Sequence, residues 1–243
     1  MLIIKDLRLQ YDKNIVLDNI NLELKKHTIY TFIGPSGCGK SSLINILAGN
    51  IKTYTGNVYL EDAPINPQKK HIGLIPQNHG LLPWRTVYKN ITLPLKIKRL
   101  KIVNYADKID FMINGLGLSN LINRYPRNLS GGEKQRAAIC AALVLNLDLL
   151  LMDEPFSALD AITKEKTQEL FLKLWQEDKP LTILVTHSID EAVFLGNNII
   201  IMSSNGKIID IINNPSFGQE NSRTSQESID TSNNIRSIVN KYW

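Results

Sequence analysis

GPSGCGKSS, Gly34 to Ser42, has the spacing G-x-x-x-x-G-K-[S/T] and lies between an apolar strand-like run and a helix-like run, LINILAG. In such a Gly-rich loop the backbone N–H groups turn inward around phosphate oxygens, and the start of the next helix adds partial positive charge. Gly34, Pro35, Ser36, Gly37, Cys38, Gly39, Lys40, Ser41 and Ser42 are therefore expected to cradle the phosphates of a nucleotide. Lys40 would reach the β and γ phosphates, and the Ser41 hydroxyl would complete a Mg²⁺ shell.

LLLMDEP, Leu149 to Pro155, is an apolar run that ends in two adjacent carboxylates. A strand covered on both faces tolerates charge only at its end, where a sheet opens to ligand. Asp153 is expected to hold the water shell of the magnesium, and Glu154 to polarise the water that attacks the γ phosphate.

LSGGEKQR, Leu129 to Arg136, carries the S-x-x-E spacing of a capping box at Ser130 and Glu133, ahead of an apolar helix. Gly131 and Gly132 fill its first turn, although glycine costs up to about 1 kcal/mol against alanine in a helix interior. The pair makes sense where something approaches the backbone closely, and an anion at a helix N-terminus fits.

GPSGCGKSS, LSGGEKQR and LLLMDEP together resemble the nucleotide-binding subunit of ABC transporters, over roughly residues 1–211. The resemblance implies a P-loop NTPase α/β fold with a mainly parallel core sheet, an N-terminal antiparallel β subdomain and a helical subdomain at about 76–146. It also assigns roles that the residues alone do not. Tyr11 matches the aromatic that stacks on adenine, and Gln77 the glutamine that contacts Mg²⁺ and the attacking water. His187 matches the switch histidine at the γ phosphate, and SALD, Ser157 to Asp160, the loop joining the two sites of a dimer. Ser130, Gly131, Gly132 and Asp160 would contact ATP held by a second copy of the chain, so that ATP is sandwiched in a head-to-tail homodimer. Behind His187, Ser188 and Glu191 have capping-box spacing.

Strand-like and helix-like runs alternate in the order that would position these residues. LIIKDLRLQY, INLEL and TIYTFI read as strands before the phosphate loop, and NVYL and HIGLI as strands after its helix. Residues 76–128 are broken by Pro76, Pro83, Pro94 and Pro126 and read as a helical insertion. SGGEKQRAAICAALVL and TKEKTQELFLKLWQED read as helices, DLLLM and LTILVT as buried strands. NIIIMSS and GKIIDII read as a hairpin around Asn205-Gly206. Buried strands alternating with helices indicate a mainly parallel sheet covered on both sides. Residues 212–243 read as a polar tail ending in a short helix, IRSIVNKYW.

With 243 residues, 43% of them hydrophobic, the chain is too apolar for disorder and long enough for a sizeable core. A net charge of +5 allows an anionic neighbour without requiring one. Two cysteines, Cys38 and Cys140, exclude a disulfide framework and suit a reducing compartment. Cys38 in the phosphate loop is open to a redox role, but packing is favoured. No run reaches the ~20 apolar residues that span a bilayer, and the N-terminal run meets Lys5 and Asp6 too early for a signal peptide.

The expectation is an ATPase on the cytoplasmic face of the membrane. It would dock on a separate permease that works with an external solute-binding protein, with no nucleic acid as partner. Leu81, Leu82, Pro83 and Trp84, followed by Thr86, Val87 and Asn90, resemble importer ATPases of the nitrate, sulfonate, taurine and thiamine-precursor group. The apolar members could receive a permease helix or simply pack the helical subdomain. KIKRLK, Lys96 to Lys101, reads as a solvated face, with attraction to anionic lipid or permease as the other reading. An ABC ATPase coupled to export, or to a soluble task, is the alternative function.

Overall fold

The computed structural model describes residues 1–219 and 222–243. Two sheets are joined around one helix. Strands β1 (Leu2–Tyr11), β2 (Asn14–Leu24), β4 (Thr55–Leu60) and β5 (Ala63–Pro64) form an antiparallel sheet in the order β2-β1-β4-β5. Strands β3 (Ile29–Ile33), β6 (Ile72–Ile75), β7 (Leu149–Asp153), β8 (Leu181–Val185), β9 (Asn198–Met202) and β10 (Ile208–Asn213) form the second sheet, ordered β10-β9-β3-β8-β7-β6. It is parallel throughout except for the β9–β10 hairpin.

The parallel strands are continuously apolar because both of their faces are covered. Along β7, Leu149 and Leu151 join one core while Leu150 and Met152 join another. The first core holds α1 (Lys40–Leu47) between this sheet and the antiparallel one, through Leu43, Ile44, Ile46 and Leu47. The second lies under α2 (Val87–Ile91), α3 (Leu93–Ile97), α4 (Ala106–Gly115), α5 (Gly131–Leu143) and α6 (Ala161–Asp178). A third, smaller core joins α7 (Ile189–Leu195) and α8 (Gln226–Tyr242) to β3 and β9 through Ile33, Val193, Ile199, Ile201 and Ile235.

Two elements run further than their sequence pattern indicates. Strand β2 begins at Asn14 rather than at Ile20, because Asn19 takes a left-handed φ of 53° and the pairing with β1 slips between Leu7 and Leu9. An irregularity of this kind shifts the in–out alternation, so the two halves of the strand do not read as one. Helix α8 starts at Gln226, well before IRSIVNKYW, with Ser225 as its cap. Its inward face begins with Ser228, Thr231 and Ser232, small enough to be buried yet polar enough to hide the apolar period.

The β4–β5 turn is pinned by charge. Glu61 pairs with Lys26 and, at 2.5 Å, with Lys70. Hydrogen bonds from both lysines hold its carboxyl down to about 2. A lowered carboxyl stabilises the fold at pH values above the ordinary glutamate range, and that contribution disappears as pH falls towards 2. The group is partly open to solvent, so Glu61→Gln is expected to cost about 1 kcal/mol at pH 7, roughly 2–4 °C in Tm. Thermal melts should show the gap between variant and parent closing as pH is lowered from about 4.5 to 2.

Candidate active site

All the parallel strands of the core sheet present their C-terminal ends to one edge, where ligands of open α/β sheets bind. The phosphate loop follows β3, Gln77 follows β6, Glu154 follows β7 and His187 follows β8. Register brings the ends level: Asp153 lies opposite Val185, and Val185 opposite Phe32.

Within the phosphate loop, Gly37 and Gly39 take left-handed φ values of 80° and 100°. Gly39 has a second requirement, since a Cβ there would lie 2.5 Å from the Val16 carbonyl oxygen and 2.7 Å from the Leu17 side chain. The loop therefore rests directly on β2. On the other side of the same strand segment, the β9–β10 turn packs so closely that a Cβ on Gly206 would lie 2.0 Å from the Val16 oxygen. The Asp18 N–H also donates to the Gly206 carbonyl at 3.0 Å. Tyr11 is half-exposed at the end of β1, opposite Asn14 of β2.

Lys40 is buried, and its Nζ donates to the carbonyls of Gly34 at 2.7 Å and Pro35 at 2.8 Å. The ammonium is thus held over the loop rather than extended into solvent. Pro35 is half-buried, Ser36 is exposed, and Ser42 is half-buried. Cys38 is buried, with its Sγ 3.6 Å from Lys40 Nζ and in the space a Cβ of Gly34 would need, which is a packing role.

The Ser41 hydroxyl donates to Asp153 Oδ1 at 3.0 Å. Burial pushes the Asp153 carboxyl above the ordinary aspartate range, and the adjacent Glu154 charge adds to this, while the Ser41 hydrogen bond, Lys40 and His187 oppose it. Glu154 is gripped from several sides. Its Oε2 accepts from Gln77 Nε2 at 3.2 Å, and its Oε1 pairs with His187 Nε2. Its backbone is left-handed (φ 48°), and its N–H donates to the Val185 carbonyl at 3.0 Å. Ser157 Oγ donates to the Glu154 carbonyl at 2.9 Å, a contact that sequence reasoning missed. A non-glycine residue in that conformation is held by its surroundings, and such positions cluster at functional sites.

The donor set at Ser41 and Asp153 suits Mg²⁺. Both offer hard oxygens, and a second carboxylate next door raises the local demand for a cation. Among the described residues no three or more His, Cys, Asp or Glu are grouped as a metal cage. That matches an ion held by one or two protein groups and the substrate's phosphates.

Ser130, Gly131, Gly132 and Asp160 lie together, apart from this cluster. Ser130 caps α5, and the capping box with Glu133 is complete, with bonds of 3.3 and 2.7 Å. A Cβ on Gly132 would lie 2.7 Å from Thr163 Cγ2 of α6, so Gly132 has a packing reason that the sequence conceals. Gly131 is exposed, and a Cβ there would meet nothing nearer than the Ala158 carbonyl at 3.5 Å. Only Gly131 keeps the argument from close approach to the backbone. Asp160 caps α6 by accepting from the Thr163 N–H at 3.0 Å, and that bond holds its carboxyl below the usual range.

One expectation fails. Ser188 Oγ does accept from the Glu191 N–H, at 3.2 Å. The Glu191 carboxylate, however, does not return to the Ser188 N–H, which donates instead to Thr186 Oγ1 at 3.1 Å. The capping box is half made.

The LLPW stretch divides. Leu81 packs against the helical core, while Trp84 is 70% exposed. Buried Asn90 shapes the loop between them: its Oδ1 accepts from the Leu82 N–H at 2.7 Å, and its Nδ2 faces the carbonyls of Leu82, Arg85 and Thr86 at 3.0–3.2 Å.

A family model described as "ABC transporter" matches residues 17–157. The aliphatic sulfonates import ATP-binding protein SsuB of a Bacillus cereus strain is 42% identical over 215 residues, 87% of this chain and 84% of that protein. The taurine import ATP-binding protein TauB of Escherichia coli (strain K12) is 39% identical over 211 residues, 86% of this chain and 83% of the relative. Among solved structures, a bacterial ABC transporter cassette in dimeric form superposes with a TM-score of 0.78 at 30% identity, over 88% of this chain and 98% of the other. A dimeric post-hydrolysis state bound to ADP and Pi gives 0.77 at the same identity and coverage.

Proposed function

The chain belongs to the ABC transporter family, and from that premise we propose that it is the ATP-binding subunit of an importer, hydrolysing ATP as a head-to-tail homodimer to drive a separate membrane permease. One observation supports the reading above all. Lys40, the Ser41–Asp153 pair and the Gln77–Glu154–His187 group meet at one sheet edge, while Gly131 lies apart from them.

In this reading the phosphate loop and Lys40 bind the triphosphate, and Tyr11 stacks on adenine. Mg²⁺, held by Ser41 and Asp153 with Gln77 beside it, would neutralise charge on the β and γ oxygens. Glu154 accepts the proton of the attacking water, and Gln77 and His187 fix the direction of its carboxylate. Gly131, Ser130 and Asp160 of one copy close over the nucleotide of the other. Hydrolysis of the purified chain should require Mg²⁺ and stop with EDTA. Failure to bind or cleave ATP, even with the permease present, would overturn the reading.

No described helix is long and apolar enough to cross a membrane. The subunit would therefore act peripherally, on the cytoplasmic face. Residues 1–211 would form the ATPase unit with its helical part at about 76–146, and 212–243 an appendage. Two features support permease docking: exposed Trp84, and an apolar cavity of about 240 Å³ beside the loop after Gln77, lined by Leu74, Leu81, Leu93, Ile97 and Ala138. An external solute-binding protein would complete the system, and the names of the relatives make organosulfonates the first solutes to try. Trp84→Ala is expected to leave fold and basal ATPase unchanged, since a side chain so exposed contributes within about 0.5 kcal/mol. It should weaken co-purification with the permease; unchanged recovery would remove Trp84 from the docking surface.

A further inference from the structure

The Glu191 carboxylate is almost wholly buried, with 2% of the side chain exposed, and it is not used to cap its own helix. Its Oε2 accepts from Lys164 Nζ at 2.7 Å and from Gln168 Nε2 at 3.0 Å, both on α6. Gln168 is itself oriented from behind. Arg223, in the segment before α8, donates from Nη2 to Gln168 Oε1 at 2.9 Å, while its guanidinium lies over the Phe194 ring at 3.4 Å. Arginine only donates and a carboxylate only accepts, so the amide between them has a single workable orientation.

The placement of these groups gives the network a task. Helix α6 follows the loop that starts at Glu154, and α7 follows the loop that holds His187. The Glu154–His187 contact joins the two loops at the sheet edge. The Lys164–Glu191 pair joins the same two units again, one layer further from the edge. A cleft of about 260 Å³ between the two contacts is lined by Glu154, Ser157, Lys164, Thr186, His187 and Glu191. A buried ion pair adds little net stability once desolvation is counted, but it restricts geometry strongly, because breaking it leaves an unpaired charge.

We propose that Glu191 is a positioning residue for hydrolysis: clamped by Lys164 and Gln168, it fixes the α7 end of the His187 loop and so the Glu154–His187 geometry. Arg223 extends the clamp into the C-terminal segment by orienting Gln168. The inference rests on the ATPase reading and goes beyond it, because neither residue touches nucleotide.

The test is steady-state ATP hydrolysis by the full chain, with ATP affinity and Tm measured in parallel. Lys164→Met and Glu191→Gln should each lower kcat by about ten- to a hundred-fold, the scale of a small misplacement, and change KM for ATP less than about two-fold. Lys164→Arg, which keeps the charge and the donor, should restore most of kcat. Arg223→Gln should shift kcat in the same direction by a smaller factor. The proposal is overturned if kcat stays within two-fold in the first two variants, or if kcat, ATP affinity and Tm all collapse together and Lys164→Arg does not rescue. A parent chain without turnover would sink the ATPase reading instead, so the two failures are distinguishable.

Discussion

Glu154→Gln is expected to abolish turnover while ATP binding persists. The substitution keeps the size of the side chain and an oxygen for the Gln77 amide, but removes the basic group. Loss of a positioned general base costs about 10²- to 10⁴-fold in rate. The left-handed backbone at this position is secured by the Val185 carbonyl and by Ser157, neither of which senses the change at the carboxylate. Removing a negative charge beside the γ phosphate does not weaken affinity for a polyanion. A dimer held shut by uncleaved ATP should therefore accumulate, and phosphate release with light scattering would measure both effects. A variant that stays monomeric in ATP, or that still hydrolyses it at the parent rate, removes Glu154 from this role.

The second large effect concerns the site supplied by the partner. Gly132→Asp would be ambiguous, because its Cβ would press on Thr163 and disturb α5 against α6. Gly131→Asp has room for its side chain, and it places a carboxylate at a helix start where an anion from the other copy is expected. We expect the monomer to bind ATP normally and the dimer to lose hydrolysis by about a hundred-fold or more. Mixing gives the sharper readout. Lys40→Ala loses the phosphate loop and Gly131→Asp the covering segment, and each is inactive alone. A mixed dimer holds one site with both defects and one with neither, so an equimolar mixture should regain activity. No recovery on mixing would remove the in-trans assignment.

The site reads well from sequence wherever a residue ends a continuous apolar run. Gln77, Glu154, His187 and the phosphate loop all follow buried strands, and a parallel sheet delivers such ends to one edge. Side chains whose partners lie on another helix do not read at all. The spacing of Ser188 and Glu191 matches a local motif, yet the carboxylate is drawn across to Lys164 and Gln168, and sequence distance carries no trace of that. Gly132 misleads in the opposite way, since its contact with Thr163 is a packing constraint that looks like a ligand constraint. The LLPW residues are equally apolar on paper, and only the fold separates packed Leu81 from exposed Trp84. The C-terminal helix escapes notice because hydroxyl side chains line its inner face.

The contacts of Gly39 and Gly206 on one peptide group of β2 have a mechanical consequence. The hairpin that ends in Tyr11 is wedged between the lysine cradle and the far turn of the sheet, so the base end and the triphosphate end of a bound nucleotide would travel as one rigid jaw. Any clamping stroke must then come from the opposing molecule and from the helical lobe, with this jaw serving as the anvil.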